Sequence, residues 1–285
     1  MSAPELLASY WTICGGAEPH TDHEYSPFSL RERAEAASKA GFTGLGLWHA
    51  DLVHIRRQHS LAEMRRILDD NGIRHLELEF LTDWFLDDGE RRRASDELRG
   101  VLLESAEVLG ARHIKVGDFF DSPVSMPRLI ESFAQLCREA ADHGTRVAFE
   151  MMPFSVIHTL EDALTLVKGA DAPNGGICID LWHVVKLGVP YENVAAIPKR
   201  FLTSIELNDG FLKVPEGMTL HEETINHRQF CGEGQFDVRG FVERMRAAGY
   251  DQPWGIEVLN KAHRQLALPD VVGRAHRTTR AQLPA

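Results

Sequence analysis

Four carboxylates in this chain of 285 residues stand at or near the ends of short apolar runs, where side chains can be gathered into one site. Glu150 closes Arg146-Val-Ala-Phe-Glu150 and Asp180 closes Gly176-Ile-Cys-Ile-Asp180. Glu206 lies in Ser204-Ile-Glu-Leu-Asn208 and Glu257 in Trp254-Gly-Ile-Glu-Val-Leu259. Side chains alternate between the two faces of a strand, so these runs put all four acids on one face and Val147, Phe149, Ile177 and Ile179 on the other. Burying one unpaired carboxylate costs several kcal/mol, and four together require a counter-charge. One divalent cation held by Glu150, Asp180, Glu206 and Glu257 is the simplest; ion pairs with Lys115 and Arg146 are the alternative.

Other polar residues gather near the same strand ends. His183 lies three residues beyond Asp180. Lys115 and the segment Trp48-His49-Ala-Asp51 point toward the same mouth, which makes Lys115 and His49 candidate substrate contacts and His49 a candidate acid or base. Arg228 precedes the Gly232-Glu-Gly234 turn, where its planar guanidinium would hold a substrate oxygen or a phosphate. Trp11, Trp48, Trp84, Phe119, Phe120 and Trp182 lie at or just past strand ends, placed either to wall a ligand site or to pack the core.

Positioning these groups requires strands that end together. Apolar runs recur every 30 to 40 residues or so, each followed by an amphipathic stretch, which is the length of a βα unit. The runs are Leu7–Ile13, Gly44–Trp48, His75–Phe80, His113–Gly117, Arg146–Met151, Gly176–Leu181, Phe201–Leu207 and Trp254–Leu259. Between them, Ser29-Leu-Arg-Glu32 and Ser60-Leu-Ala-Glu63 are capping boxes, Thr159-Leu-Glu-Asp162 is a close variant, and Gly41, Gly72 and Gly144 are stop signals. Leu129, Phe133, Leu136 and Ala140 recur at helical spacing and predict one buried face. Eight such units predict a single (β/α)8 TIM barrel over residues 1–285, with its chemistry at the C-terminal ends of the strands. A doubly wound open sheet is disfavoured, because Cys14-Gly-Gly-Ala17 lacks the glycine spacing of a dinucleotide turn. The long stretch 209–235 is expected to cover the mouth as a lid or binding loop.

Composition narrows the function. A 44% hydrophobic content supports a large core, and 31 Lys+Arg against 42 Asp+Glu leave a net charge of −11, which argues against a nucleic-acid partner. No apolar run approaches the roughly 20 residues of a membrane span, and the first residues lack a secretory pattern, so a cytoplasmic protein is expected. Cys14, Cys137, Cys178 and Cys231 are far apart and read as reduced thiols.

Taken in order, Phe149-Glu150, Asp180-Leu-Trp-His183, Glu206-Leu-Asn-Asp209, Arg228 with Cys231-Gly-Glu-Gly-Gln-Phe-Asp237, and Gly255-Ile-Glu257 resemble the motifs of the xylose isomerase-like barrel superfamily. That resemblance implies metal ligands in the order Glu, Asp, His, Glu, with Glu150, Asp180 and Glu257 in the first, second and fourth places. Glu206 stands where relatives carry His; as a ligand it makes the donor set all oxygen, which favours Mn²⁺ or Mg²⁺ over Zn²⁺, and the alternatives are that Lys115 compensates its charge, that the metal is less tightly held, or that the register differs and Glu206 is not a ligand. The resemblance further implies that Glu150 and Glu257 are the catalytic acid/base pair and that His183 hydrogen-bonds a substrate hydroxyl. The reaction it implies is proton abstraction beside a carbonyl through an enediolate, in a sugar isomerase or epimerase. A metal-dependent lyase on a 3-keto sugar, by keto-glycoside elimination, C-deglycosylation or dehydration, is the close alternative. An endonuclease IV-like repair enzyme is disfavoured by charge and by the scarcity of strand-end histidines, and a non-catalytic sugar-binding barrel by the four acids. Relatives are often dimers or tetramers, so a homo-oligomer is expected, with room for a partner subunit over the mouth.

Overall fold

The eight apolar runs form the staves of a closed barrel. In a computed structural model of the chain, which describes residues 4–119 and 122–284, parallel strands pair in sequence order and the first closes on the last, Leu6 opposite Trp254. The strands are β1 (Leu6–Ala8), β2 (Gly44–Trp48), β3 (His75–Leu81), β4 (His113–Val116), β5 (Arg146–Glu150), β6 (Gly175–Asp180), β7 (Leu202–Leu207) and β8 (Trp254–Ile256). The first half of the chain carries α1 (Tyr10–Ile13), α2 (Leu30–Ala40), α3 (His49–Arg56), α4 (Leu61–Asp70), α5 (Gly89–Leu109) and α6 (Met126–Asp142). The second half carries α7 (Leu160–Ala170), α8 (Leu181–Lys186), α9 (Tyr191–Ala195), α10 (Leu220–Asn226), α11 (Val238–Ala247) and α12 (Leu268–Gln282).

Strand alternation divides the molecule into two layers. Val147, Phe149, Ile177, Ile179, Ile205 and Leu207 face outward and are buried against helix residues such as Leu129, Phe133, Leu136 and Ala140 of α6. The intervening positions, among them Glu150, Cys178 and Glu206, turn into the lumen. Each outward side chain removed from water contributes roughly 1.5–3 kcal/mol, so this layer dominates the stability. Both capping boxes form, Ser29 with Glu32 and Ser60 with Glu63, and α2 ends at Gly41 with φ 105°, a left-handed conformation that favours glycine.

Two strands, β1 and β8, are shorter by three residues or more than the apolar runs that predict them. The first stops at Ala8 because the backbone turns into α1: Thr12 N–H donates to the Ser9 carbonyl at 3.1 Å, and Tyr10 N–H donates to the Glu79 carboxylate at 3.3 Å. The last stops at Ile256, after which Val258 N–H donates to Thr12 Oγ1 at 2.9 Å instead of to a strand. Glu257 therefore sits just past the end of β8, its N–H still held by the Leu207 carbonyl at 3.1 Å. Residues 209–235 are more ordered than their composition suggests. Asp209 and Gln229 form an antiparallel bridge, and Asp209 Oδ atoms accept from Gly210, Gly232 and Phe236 N–H, which fixes α10 beside the mouth.

Candidate active site

Lys115, from β4, stands at the centre of the site. Its ammonium donates to both oxygens of Glu206 at 2.8 and 2.9 Å and to Glu257 Oε1 at 3.0 Å, and lies 3.2 Å from Glu79 and 3.6 Å from Glu150. All five side chains are nearly or fully buried. The sequence left a metal and ion pairs as alternatives; Lys115 makes ion pairs with three of the four predicted acids. Arg228 provides a second cation. Its Nη1 bridges Asp180 Oδ2 at 2.7 Å and Glu257 Oε2 at 2.9 Å, while Nε and Nη2 donate to Thr224. Arg228 thus anchors Asp180 and Glu257 as well as lining the pocket, where it was expected only to hold a substrate oxygen or phosphate.

Five carboxylates, Glu79, Glu150, Asp180, Glu206 and Glu257, share these two cations, a formal excess of three negative charges when all are ionised. The excess is visible in their protonation. Burial, reinforced by the charges of Glu77 and Glu257, pushes Glu79 well above the usual carboxylate range despite Lys115. Burial and the charge of Glu257 push Glu206 well up, with Lys115 opposing. Glu257 is also raised by burial, which Lys115 and Arg228 only partly offset. Glu150 goes the other way: burial raises it, but Lys115 and His183 outweigh that and hold it below its ordinary value. Asp180 is lowered too, burial being overcome by Arg228, His183 and Asn208. A divalent cation relieves such a cluster without protonating it. One oxygen each from Glu150, Asp180, Glu206 and Glu257 lies within 4.8 Å of the others, so the donor set fits a hard ion in both geometry and charge.

Above this floor opens a pocket of about 600 Å³, counted out to solvent. Glu79, Lys115, Glu150, His183, Arg228 and Glu257 line its base. His183 Nε2 lies 3.3 Å from Glu150 Oε1, and its Nδ1 has no hydrogen-bond partner among the described residues. The upper wall is aromatic. Trp11 and Trp48 pack at 5.0 Å between centroids, Trp48 stacks toward Phe80 at 6.3 Å, and Phe80 stacks on Phe119 at 4.8 Å. Met152, Phe154, Ile225 and Leu259 add apolar surface, and His20, Glu24 and His221 are polar groups in the same lining. Trp84 and Trp182 belong to the core, and Phe120 lies outside the described residues. His49 does not reach the pocket base: its Nδ1 faces Phe80 N–H at 3.4 Å and its ring packs on Trp48. Sequence reasoning missed Glu79 at the base and His20, Glu24 and His221 in the wall. The signal for Glu79 was present in Leu76-Glu77-Leu78-Glu79, whose alternation turns both acids into the lumen.

The sequence profile of the xylose isomerase-like TIM barrel family matches residues 34–281. The chain belongs to this family. Over 246 residues it is 30% identical to a 3-dehydroshikimate dehydratase of Pseudomonas aeruginosa, covering 83% of this chain and 37% of that protein. The chain thus spans little more than a third of the length of that relative. An inosose isomerase of Bacillus subtilis is 21% identical over 192 residues, 64% of this chain and 66% of the relative. The fold matches the crystal structure of the IolI protein with a bound zinc atom at a TM-score of 0.81 and 17% identity, over 98% of each chain. Dehydratase and isomerase chemistries therefore both occur among the relatives. No helix among the described residues is long and apolar enough to cross a membrane.

Proposed function

We propose that the chain is a metal-assisted lyase of the dehydratase type, which takes the proton from the carbon beside the carbonyl of a small cyclic hydroxy-ketone and expels the β-hydroxyl as water. The observation that carries this reading is a pair of carboxyls on one pocket floor whose surroundings pull them in opposite directions. Glu150 is held below its ordinary value by Lys115 and His183 and has the loosest contacts of the cluster, 3.3 and 3.6 Å, whereas burial pushes Glu79 well above the usual carboxylate range and its Oε2 makes no hydrogen bond. An ionised carboxylate serves as the base and a neutral carboxyl as the acid that protonates the leaving oxygen, which is the division an elimination needs. His183 orients Glu150, and Arg228 fixes Glu257 and Asp180. The stacked wall of Trp48, Phe80 and Phe119 accepts the flat, carbon-rich face of a ring. Similarity to a 3-dehydroshikimate dehydratase supports the same chemistry.

Glu150, Asp180 and Glu257, with Glu206 in reach, would hold one divalent ion, and oxygen donors alone favour Mn²⁺ or Mg²⁺. Such an ion polarises the carbonyl oxygen and stabilises the charge that develops on it. A second reading, sugar isomerase or epimerase, is favoured by Glu257: a second pocket-facing carboxyl, itself shifted toward the protonated form, can return a proton to carbon. The inosose isomerase among the relatives supports that reading.

Incubation with 3-dehydroshikimate and Mn²⁺ in D₂O, followed by NMR and mass spectrometry, tests the proposal. The expected product is one water lighter. Glu150→Gln abolishes both elimination and carbon-bound deuterium exchange, while Glu79→Gln keeps exchange and slows elimination by about 10²-fold or more. A rearranged product of unchanged mass, deuterium apart, selects the isomerase reading. Exchange at the wild-type rate in Glu150→Gln removes Glu150 as the base.

A further inference from the structure

Glu206 is the acid that stands where the resemblance implies a histidine, and its surroundings differ from those of Glu150 and Glu257. It is fully buried and, like Asp180, does not line the pocket, whereas Lys115, Glu150 and Glu257 do. The oxygens of Asp180 and Glu257 are hydrogen-bonded too, but among the described residues only Glu206 receives Lys115 on both: Oε1 accepts from Lys115 at 2.8 Å and Ser9 Oγ at 2.9 Å, and Oε2 from Lys115 at 2.9 Å and the Cys178 thiol at 3.5 Å. It is also hemmed in by the adjacent strand. Gly255 pairs with Glu206 in register, and a Cβ there would lie 2.9 Å from Glu206 Cγ. Glu150, by contrast, has no contact in the cluster closer than 3.3 Å.

We propose that Glu206 is not a metal ligand but the seat of Lys115, whose tethered ammonium takes the place of the fourth ligand and leaves Glu150, Asp180 and Glu257 to hold the ion. The proposal rests on the metal-assisted reading above and changes its consequences. A fixed positive charge beside a divalent ion opposes its binding, so the metal is held more weakly than the four-acid count implies and exchanges readily. Lys115 is thus a positioning residue. Its protons are committed to Glu206 and Glu257, and it sets the charge of the floor instead of gripping substrate.

Titration calorimetry with MnCl₂ alone, together with the EPR spectrum of bound Mn²⁺, tests this without any substrate. The Lys115→Met/Glu206→Gln double variant keeps the net charge and removes the pair. It should bind one Mn²⁺ within about threefold of wild type, whereas Glu257→Gln should lose about 30-fold or more, as expected for a lost ligand. Lys115→Met alone should bind Mn²⁺ about tenfold more tightly, since it removes the opposing charge, and this arm stands if the double variant fails to fold. A loss of more than about tenfold in the double variant, or unchanged or weaker binding in Lys115→Met, overturns the proposal and returns Glu206 to the ligand set. If the wild-type chain itself binds no Mn²⁺, the metal-assisted reading falls first and this inference with it, so the two failures are told apart by the first titration.

Discussion

Arg228 ties a loop to the barrel floor through one planar group. Its Nη1 joins Asp180 and Glu257 while Nε and Nη2 hold Thr224 of α10. A lysine at this position carries the charge but cannot reach both carboxylates and the threonine together. Arg228→Lys is therefore expected to lower stability by about 2–4 kcal/mol, because one buried carboxylate loses its partner. Urea denaturation followed by fluorescence measures this; a midpoint equal to wild type would show that the bridge contributes nothing. The same scale shows what could be read without a structure. The types and strand-end placement of Glu150, Asp180 and Glu257 were legible, and so was the alternation that turns Glu79 inward. The partners of Arg228 were not, because they lie 48 and 29 residues away in sequence and meet it only when β6, β8 and α10 converge.

Elements contribute by leaving space as well as by filling it. In β2, Gly46 faces the lumen, and a Cβ there would sit 2.4 Å from Glu79 Oε1 and 2.7 Å from Tyr10 N. The carboxyl can swing aside, but the backbone at Tyr10 must also shift. Gly46→Ala is expected to displace Glu79, to slow the proposed elimination by about as much as Glu79→Gln, on the order of 10²-fold, and to lower stability through the strained β1–β2 contact. Gly100→Ala on the exposed face of α5 is the control. A methyl there meets nothing within 4 Å, and alanine should raise stability by up to about 1 kcal/mol. Steady-state kinetics and thermal unfolding of the two variants separate the effects, and a fully active Gly46→Ala would mean that Glu79 is not needed where it stands.

Across the whole molecule, acid sensitivity should trace in part to His263. Its ring stacks on Phe230 with 4.2 Å between centroids and 2° between planes, joining the segment that follows β8 to the Arg228 loop. Burial, aided by the charge of Arg274, pushes its pKa down to about 4, against an ordinary value of 6.5. The folded chain therefore binds the proton less readily than the unfolded chain. The contribution is fully present above about pH 6.5, is lost progressively as pH falls toward 4, and is constant below that. Because the group is partly exposed, about 1–2 kcal/mol is the expected size after screening. His263→Phe should flatten the stability profile between these limits in pH-dependent urea unfolding; an unchanged slope would place the acid sensitivity elsewhere.

Local physics was sufficient for the architecture. Period-two apolar runs, the Ser29 and Ser60 capping boxes and the spacing of Leu129, Phe133, Leu136 and Ala140 each depend on residues close in the chain, and eight repeats of one unit leave few ways to close a sheet. The inward direction of Glu150, Asp180 and Glu206 follows from the same alternation. Pairing across the lumen does not. That Lys115 meets Glu206 is set by barrel closure, which brings together residues 91 positions apart, and by the strand register that places Gly255 against Glu206. Electrostatics in the lumen is a sum over all strands at once, so the opposite shifts of Glu79 and Glu150 emerge only when their distances to Lys115, Glu77, Glu257 and His183 are known.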